Sequence, residues 1–173
     1  MDNAGLISKY KSSSNGRSFL IRTDLNDSIS VVLSEDGNTS VVHTSSSNKD
    51  CGIRKNGEWT MITVVYNGTH INYYRNGQRC DRDLTSVKKL FNSTTPLELG
   101  SGNGIDFDGK VEDLTIYNKD LGIGQIKKIY DQHPRGNNLG TGVSVLAYHQ
   151  IIDPADAKDK VNLSSFEEQI DYL

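Results

Sequence analysis

The sequence predicts an all-β antiparallel fold, a sandwich or a barrel, over residues 1–130. Short apolar runs alternate with clusters of Gly, Asn, Asp and Ser, which is typical of many short strands joined by turns. Three dipeptides between these runs favour tight hairpin turns: Asp36-Gly37, Asn67-Gly68 and Asn76-Gly77. Asn, Asp and Gly tolerate the positive φ angles that such turns require.

The apolar runs define the predicted elements. We predict strands at Leu6–Lys9, Ser18–Arg22, Ser28–Ser34, Ser40–His43, Trp59–Tyr66, Thr69–Arg75, Leu97–Leu99 and Lys110–Tyr117. After the last strand, the apolar side chains that share one face of a short amphipathic helix are Leu121, Ile126, Ile129 and Tyr130. This helix would close the domain.

The hairpin around Asn67-Gly68 defines two faces of the predicted sheet. A two-residue loop at this dipeptide would pair Tyr66 with Thr69 and would fix the register of both strands. The face predicted to line the core then carries Ile62, Val64, Ile71 and Tyr73. The opposite face carries Val65 with His70, Thr63 with Asn72, and Met61 with Tyr74. This second face is either solvated or lines a shallow groove.

Composition and charge exclude several classes of protein. With 173 residues, the chain is long enough for one domain plus an extension. Its 35% hydrophobic and 24% charged residues make it too apolar for a disordered protein and too polar for a membrane protein. Its net charge of −3, with scattered Lys and Arg, leaves no basic patch for nucleic acid. No apolar run could span a bilayer, and no signal peptide is present. The four N-x-S/T sequons favour an exported protein, so we expect the missing signal to reflect truncation.

The composition changes after residue 131. Residues 132–142 contain Pro, Gly and Asn with almost nothing to bury, which indicates a linker. Val143–Tyr148 is a compact apolar run suited to a strand buried on both faces, and Ser164 with Glu167 forms a capping box at the start of a helix. A strand and a helix of this kind cannot bury themselves alone. We therefore expect the chain from Val143 onward to be loosely held.

Three segments of the first region carry a connected pattern. They are WTMITVVYNG from Trp59, YRNG from Tyr74, and LELG from Leu97 followed by FDGKVEDLTIYN from Phe107. Their order and spacing resemble the laminin-G-like family of concanavalin A-like lectins, whose pattern continues through Y-x-N-G and L-x-I-G to F-x-G-x-I-D-D-V-R-I-Y-N. The resemblance covers residues 6–130. It implies an antiparallel jelly-roll β-sandwich in a domain at residues 1–131, with its first strands missing.

Two motifs lie in the tail. VSVLAYH at 143–149 and FEEQIDYL at 166–173 are similar to the opening of polysaccharide deacetylases, V-P-V-L-M-Y-H and F-x-x-Q-M-x-Y-L. This resemblance implies that residues 143–173 are a strand–helix fragment of a (β/α) barrel. The family uses zinc or a similar metal held by one Asp and two His, with an Asp base in a T-F-D-D-G strand. Neither element is present, so we expect no deacetylase activity in this chain.

Candidate glycan-binding residues lie on the non-core face of the predicted hairpin. His70, Asn72 and Tyr74 could hydrogen-bond to a sugar and stack on it. The alternative is a merely solvated sheet face. Trp59 could also stack on a sugar, but in the laminin-G-like family the corresponding Trp opens a core strand, so we expect it to be buried.

Candidate metal ligands lie around a Gly-rich loop. Asp106, Asp108 and Asp113 could hold Ca²⁺, which favours clustered carboxylate and carbonyl oxygens, and related sandwiches often carry such an ion. The alternative is that Asp106 and Asp108 form turns.

Cys51 and Cys80 are the only cysteines. Extending the predicted hairpin register places Cys80 opposite residue 55, and Cys51 lies four residues beyond that position. A loop could therefore fold back to join them. In an oxidising compartment the two residues could form a disulfide or stay as two free thiols, and the sequence favours neither state.

Three functions fit these features. The first is a carbohydrate-binding or adhesion accessory module, which holds a cell-surface or secreted polysaccharide deacetylase on a polysaccharide or cell-surface glycan. The second is a glycoside hydrolase of the same sandwich fold, whose paired catalytic carboxylates lie on one strand in the pattern E-x-D-x-x-E. Here Glu112 and Asp113 are adjacent and would point to opposite faces of the strand, which argues against hydrolysis. The third is a structural, Ca²⁺-stabilised protein-interaction domain.

Overall fold

A computed structural model describes residues 3–24, 28–45, 51, 59–132 and 142–149. The elements in chain order are β1 (Gly5–Tyr10), β2 (Arg17–Thr23), β3 (Ile29–Leu33), β4 (Val41–Thr44), β5 (Trp59–Tyr66), β6 (His70–Arg75), β7 (Gln78–Leu84), β8 (Glu98–Leu99), β9 (Ser101–Gly102), β10 (Ile105–Asp106), β11 (Val111–Tyr117), α1 (Ile123–Gln132) and β12 (Gly142–His149). The strands predicted from the sequence are all present, and the predicted all-β fold is confirmed.

The strands form two five-stranded sheets and one small hairpin. The first sheet has the order β4-β3-β2-β1-β8, the second has the order β11-β12-β5-β6-β7, and β9 pairs with β10. Every pairing is antiparallel except those of β12, which runs parallel to both β5 and β11. The architecture is therefore a sandwich with an antiparallel first sheet and a mixed second sheet.

The core lies between the two sheets, because alternate residues of each strand point inward. Its buried members are Leu6, Ile7, Ile21, Ile29, Val31, Leu33, Cys51, Ile62, Val64, Tyr66, Ile71, Tyr73, Val87 and Leu90. Burial of each large apolar side chain contributes about 1.5–3 kcal/mol relative to exposure, so this cluster is a main source of stability. The side chains predicted for the core face of β5 and β6 are all in it.

The register of the β5–β6 hairpin differs from the prediction by two residues. Tyr66 pairs with Ile71 rather than with Thr69, so the loop consists of Gly68 and Thr69. Gly68 has a φ of 78°, which suits the first central position of a type II′ turn. Since side chains alternate with a period of two, this shift leaves every residue on its predicted face. Trp59, which was expected to be buried, is only partly buried at the start of β5.

The β6–β7 hairpin contains a strand that the sequence analysis missed. Arg75 pairs with Gln78, so Asn76 and Gly77 form the two-residue loop. Their φ angles of 49° and 77° are those of a type I′ turn. β7 forms the edge of the second sheet, and its register with β6 shifts between Tyr73 and Tyr74.

Helix α1 packs on the outer face of the second sheet. Gln125 caps its first turn, because the Gln125 side-chain oxygen accepts a hydrogen bond from the Gly122 N–H at 3.0 Å. Ile126 and Leu121 pack against Met61, Val65 and Tyr74. Part of the face predicted to be solvated or to line a groove is thus a second small core. No helix among the described residues is long and apolar enough to cross a membrane.

Strand β12 is an interior strand of the second sheet and lies between β11 and β5. With β11 and α1 it forms a β-α-β unit, in which the crossover helix lets two parallel strands lie side by side. The structure pairs residues 142–149 on both sides, whereas the sequence analysis expected the chain from Val143 onward to be loosely held. The predicted helix after Ser164 lies outside the described residues, whereas the predicted barrel strand at Val143–Tyr148 pairs within the second sheet of the sandwich.

The β9–β10 hairpin closely approaches the first sheet at two glycines. A Cβ atom on Gly5 would lie 2.2 Å from the backbone nitrogen of Gly102. A Cβ atom on Gly102 would lie 2.4 Å from Cδ1 of Leu20. The absence of a side chain at both positions is what allows the hairpin to lie against β1 and β2.

Candidate functional site

The outer face of the second sheet has two parts. Helix α1 covers one part, as described above. The other part, which we call the open strip, consists of His70, Asn72, Arg82 and Leu84. His70 pairs with Leu84 and Asn72 pairs with Arg82 across β6 and β7. Directly opposed side chains on antiparallel strands lie about 5 Å apart, so these four form one continuous surface.

The open strip is accessible along its outer edge. Leu84 is 75% exposed, which is unusual for a large apolar side chain on a strand. Arg82 is also exposed, and His70 and Asn72 are half-buried. The strip thus offers an apolar surface beside an imidazole, an amide and a guanidinium group, and these three groups can all bind a hydroxyl by hydrogen bonds.

The β5–β6 turn holds His70 in place. The Asn67 side-chain oxygen accepts hydrogen bonds from the N–H of Thr69 at 3.1 Å and from the N–H of His70 at 2.9 Å. The Thr69 hydroxyl lies 2.9 Å from Nδ1 of His70. The turn therefore positions the imidazole at the end of the open strip next to the β5–β6 loop. There the face of the ring could contact a ligand.

Tyr74 does not belong to the open strip. It shares the face of His70 and Asn72, as predicted, but it is only 6% exposed and packs in the cluster beneath α1. Burial raises the pKa of Tyr74, although the positive charges of Arg79 and Arg82 lower it. The structure therefore brings two of the three predicted glycan-binding residues together and separates the third, whose ring is covered by the helix.

Arg82 and Leu84 are residues that the sequence analysis missed. Both lie on β7, which was not predicted because its sequence, QRCDRDL, is rich in charge. One signal could have revealed them. The Asn76-Gly77 dipeptide predicts a hairpin, and a hairpin requires a second strand directly after it.

The three predicted metal ligands are not grouped together in the structure. Asp106 lies on β10, Asp108 follows it, and both are exposed. Asp113 lies on β11 with a φ of 53°, where the register with β12 shifts. Among the described residues, no three His, Cys, Asp or Glu side chains are grouped so that they could hold a metal ion. Calcium binding stays a prediction, and the described residues contain no cluster of three such side chains to support it.

Cys51 and Cys80 are joined in a disulfide, with their Cα atoms 5.4 Å apart. The route to this proximity differs from the prediction. The chain reverses at Asn76-Gly77, so Cys80 lies on β7 and pairs with no residue of an extended β5–β6 hairpin. Cys80 is the additional residue where the β6–β7 register shifts, and it packs against the core between the sheets.

A polar network connects two loops beside the first sheet. Asp36 accepts hydrogen bonds from the N–H of Asn38 at 2.8 Å and the N–H of Thr39 at 2.7 Å. Asn38 in turn accepts the N–H of Asn15 at 3.0 Å, which ties the β3–β4 loop to the β1–β2 loop. The backbone hydrogen bonds from Thr39 and Asn38 lower the pKa of Asp36 to about 2. These donors already satisfy the carboxylate, so the network is structural.

Comparison with known proteins places this architecture in a family. Residues 2–127 match the concanavalin A-like lectin/glucanases superfamily. The chain is also similar to the crystal structure of the binding domain of Paraclostridial Mosquitocidal Protein 1, with 14% sequence identity and a TM-score of 0.49. That alignment covers 76% of this chain but only 32% of the other. No curated protein matches the sequence. On the family match, the chain belongs to the concanavalin A-like lectin/glucanases superfamily.

Proposed function

We propose that this chain is a carbohydrate-binding module that contacts a polysaccharide through the open strip. The observation that supports this most is the exposure of Leu84 next to Asn72, Arg82 and His70 on two paired strands. A sugar ring presents C–H surfaces and hydroxyl groups. Leu84 and the His70 ring can pack on the former, while the amide and the guanidinium can hydrogen-bond to the latter.

The dimensions of the strip suit a polymer better than a single sugar. The His70–Leu84 and Asn72–Arg82 pairs are two residues apart along the strands, a distance of about 7 Å. The strip is an exposed part of the sheet face that includes the edge strand β7, so it can contact neighbouring rings of a chain. Binding at such a surface is weak per site, and a module of this kind raises the effective concentration of an attached domain.

Binding of the full chain to a panel of immobilised polysaccharides tests this proposal. We expect Asn72→Ala and Leu84→Ser to weaken binding to a recognised polysaccharide about tenfold each, which corresponds to about 1.4 kcal/mol. Ile123→Ser is the matched control, because Ile123 is also an exposed apolar residue, at 57%, but lies on α1. Equal affinities for Leu84→Ser, Asn72→Ala and the unchanged chain would remove the open strip from the site.

The proposal extends to the enzyme with which this module would work. We infer that it serves a secreted or cell-surface polysaccharide deacetylase. This inference is supported by the resemblance of the motifs at 143–149 and 166–173, although the first of them forms β12 of the sandwich, and by a disulfide, which is typical of oxidising compartments. The module itself is proposed to be non-catalytic. Acetate release from an acetylated glycan should stay at background with and without zinc, and metal-dependent turnover by residues 1–173 would contradict this.

A further inference from the structure

We propose that the polysaccharide bound by this chain is acidic, and that its carboxylate or sulfate groups bind to Arg79 and Arg82 on β7. This inference rests on the proposed carbohydrate binding, because it names the chemical class of the ligand at the same surface. The observation that carries it is the position of the two arginines, which lie beside each other on the outer face of the second sheet, at its edge.

An irregularity in β7 places both arginines on one face. Arg82 pairs with Asn72, and Arg79 pairs with Tyr74, which lies two residues further along β6. In a regular strand the side chains alternate between the faces, so residues that are three apart point to opposite sides. Cys80 has no pairing partner on β6 and is the extra residue that cancels this alternation. Arg79 and Arg82 therefore share the face of Asn72 and Tyr74.

The disulfide keeps this irregularity in place. Cys80 is bonded to Cys51, which is buried in the core between the two sheets. The extra residue of β7 is thus tied to the inner side of the sheet. A return of β7 to regular alternation would have to move this residue away from the core, so the bridge keeps both arginine side chains on the outer face.

Strand β7 separates its positive charges from its negative ones. Its sequence, QRCDRDL, contains two arginines and two aspartates. Asp81 pairs with Tyr73, and Asp83 pairs with Ile71. Tyr73 and Ile71 are buried in the core, so both carboxylates belong to the inner face. The Asp83 carboxylate also accepts a hydrogen bond from the Tyr73 hydroxyl at 3.2 Å. The outer face of β7 therefore carries the two positive charges without the negative ones.

The two guanidinium groups are available to an anion. Both arginines are exposed, and no hydrogen bond or ion pair joins either guanidinium group to another described residue. Burial raises the pKa of Tyr74 and the positive charges of Arg79 and Arg82 lower it, so both charges lie near the Tyr74 hydroxyl. A guanidinium group binds anionic oxygens by charge-assisted hydrogen bonds, which are about twice as strong as neutral ones. Two such groups at one place favour an acidic ligand over a neutral one.

The arginines lie in line with the rest of the open strip. Along the outer face of β7 the order is Leu84, Arg82 and Arg79. The positions of Asn72 and Tyr74, which face the two arginines, are about 7 Å apart along β6. A polymer that crosses the strip can therefore pack one sugar ring on Leu84 and present the acidic group of a neighbouring ring to both guanidinium groups.

The affinities for polysaccharides that differ only in charge test this proposal. Polygalacturonate is compared with its methyl ester to detect recognition of carboxylates, and dextran sulfate is compared with dextran to detect recognition of sulfates. We expect the full chain to bind at least one acidic polymer about tenfold more tightly than its neutral counterpart. Raising the salt concentration to about 1 M should abolish this preference, because charges are then screened beyond about 3 Å.

Substitution of the arginines locates the preference. Arg79→Gln and Arg82→Gln should each lower the ratio of acidic to neutral affinity several-fold, and the double variant should bring it close to one. Lys11→Gln is the matched control, because it removes one exposed positive charge between β1 and β2 and should keep the ratio of the unchanged chain.

The outcomes separate this inference from the proposed function. An acidic preference that persists in the double variant would overturn the inference, and so would equal affinities of the unchanged chain for acidic and neutral polymers or no binding to either acidic polymer. Binding to an acidic polymer that depends on both arginines, but is unchanged by Leu84→Ser and Asn72→Ala, would instead overturn the proposed role of the open strip and support the arginines as the acidic site.

Discussion

The Asp36 carboxylate organises the loop between β3 and β4. Hydrogen bonds from the N–H groups of Thr39 and Asn38 favour its ionised form and lower its pKa from 3.8 to about 2. Because the folded-state pKa is depressed, the carboxylate stabilises the fold fully above pH 4 or so, and this contribution is lost as the pH falls towards 2.

We therefore expect the Asp36 side-chain carbon to titrate with a midpoint of about 2 in an NMR experiment. Thr39→Ala removes one hydroxyl donor but keeps both backbone donors, so it should raise the midpoint only in part. A midpoint near the ordinary value in the unchanged protein would show that the loop does not form these hydrogen bonds.

Tyr74 is predicted to stabilise the fold rather than to bind a ligand. Its ring fills the cluster beneath α1, and truncation of a buried aromatic side chain to Ala costs about 3–5 kcal/mol. Tyr74→Ala should thus lower the free energy of unfolding by about 3 kcal/mol in a urea titration. The half-buried Asn72→Ala should change it by less than about 1 kcal/mol. Equal effects of the two substitutions would place Tyr74 outside the packed cluster.

At the scale of elements, the faces of the β5–β6 hairpin could be predicted but its register could not. Alternation of apolar residues fixes which side chains point inward, and a two-residue shift does not alter it. The register depends on the Asn67 side chain, which accepts hydrogen bonds from Thr69 and His70 and so keeps Asn67 at the strand end. Such a local competition between two equally plausible turns is not visible in the residue pattern.

The open strip was only partly predictable for a different reason. His70 and Asn72 follow from alternation within β6, whereas Arg82 and Leu84 depend on β7. The coverage of Tyr74 depends on where α1 packs, and that is a tertiary contact between segments distant in the sequence. Helix amphipathicity predicts that a helix packs on something, but not on which half of a sheet.

The disulfide anchors β7 to Cys51 across a separation of 29 residues. A loop of this length predicts a stabilisation of about 3–4 kcal/mol through the restricted unfolded chain. The chain purified without reductant should show no reactive thiol. After reduction, its free energy of unfolding should fall by about that amount and should match a Cys51→Ala, Cys80→Ala variant. Two reactive thiols in the unreduced protein would contradict the bridge.

At the scale of the whole molecule, the sandwich was predictable and the position of β12 was not. Short alternating strands with turn residues indicate a sandwich whatever the strand order. The apolar run at Val143–Tyr148 suits a strand with neighbours on both sides, and the structure provides β5 and β11 as those neighbours. Nothing in the sequence tells which parallel strands flank it, because strand order is set by non-local contacts.

Hydrogen exchange distinguishes a loosely held segment at residues 143–148 from a strand that is paired in the sheet. Amides of residues 143–148 should exchange slowly, as those of β5 do, because the strand is hydrogen-bonded on both sides. Exposed residues of the β3–β4 loop that donate no hydrogen bond provide the fast reference. Exchange of 143–148 at the rate of an unfolded peptide, with β5 still protected, would mean that β12 is not part of the sheet.

The contact between Gly5 and Gly102 limits which sequences this fold can accept. A Cβ atom on Gly5 would meet the backbone of Ser101 and Gly102, and no smaller partner can relieve that clash. A Cβ atom on Gly102 would meet mainly the Leu20 side chain, which can be made smaller. A library randomised at Gly5, Leu20 and Gly102 should therefore return glycine at Gly5 in all folded clones, and a larger residue at Gly102 only together with a smaller residue at Leu20. A glycine of the Gly5 kind would mark, in a divergent chain, the site where the small hairpin crosses the first sheet.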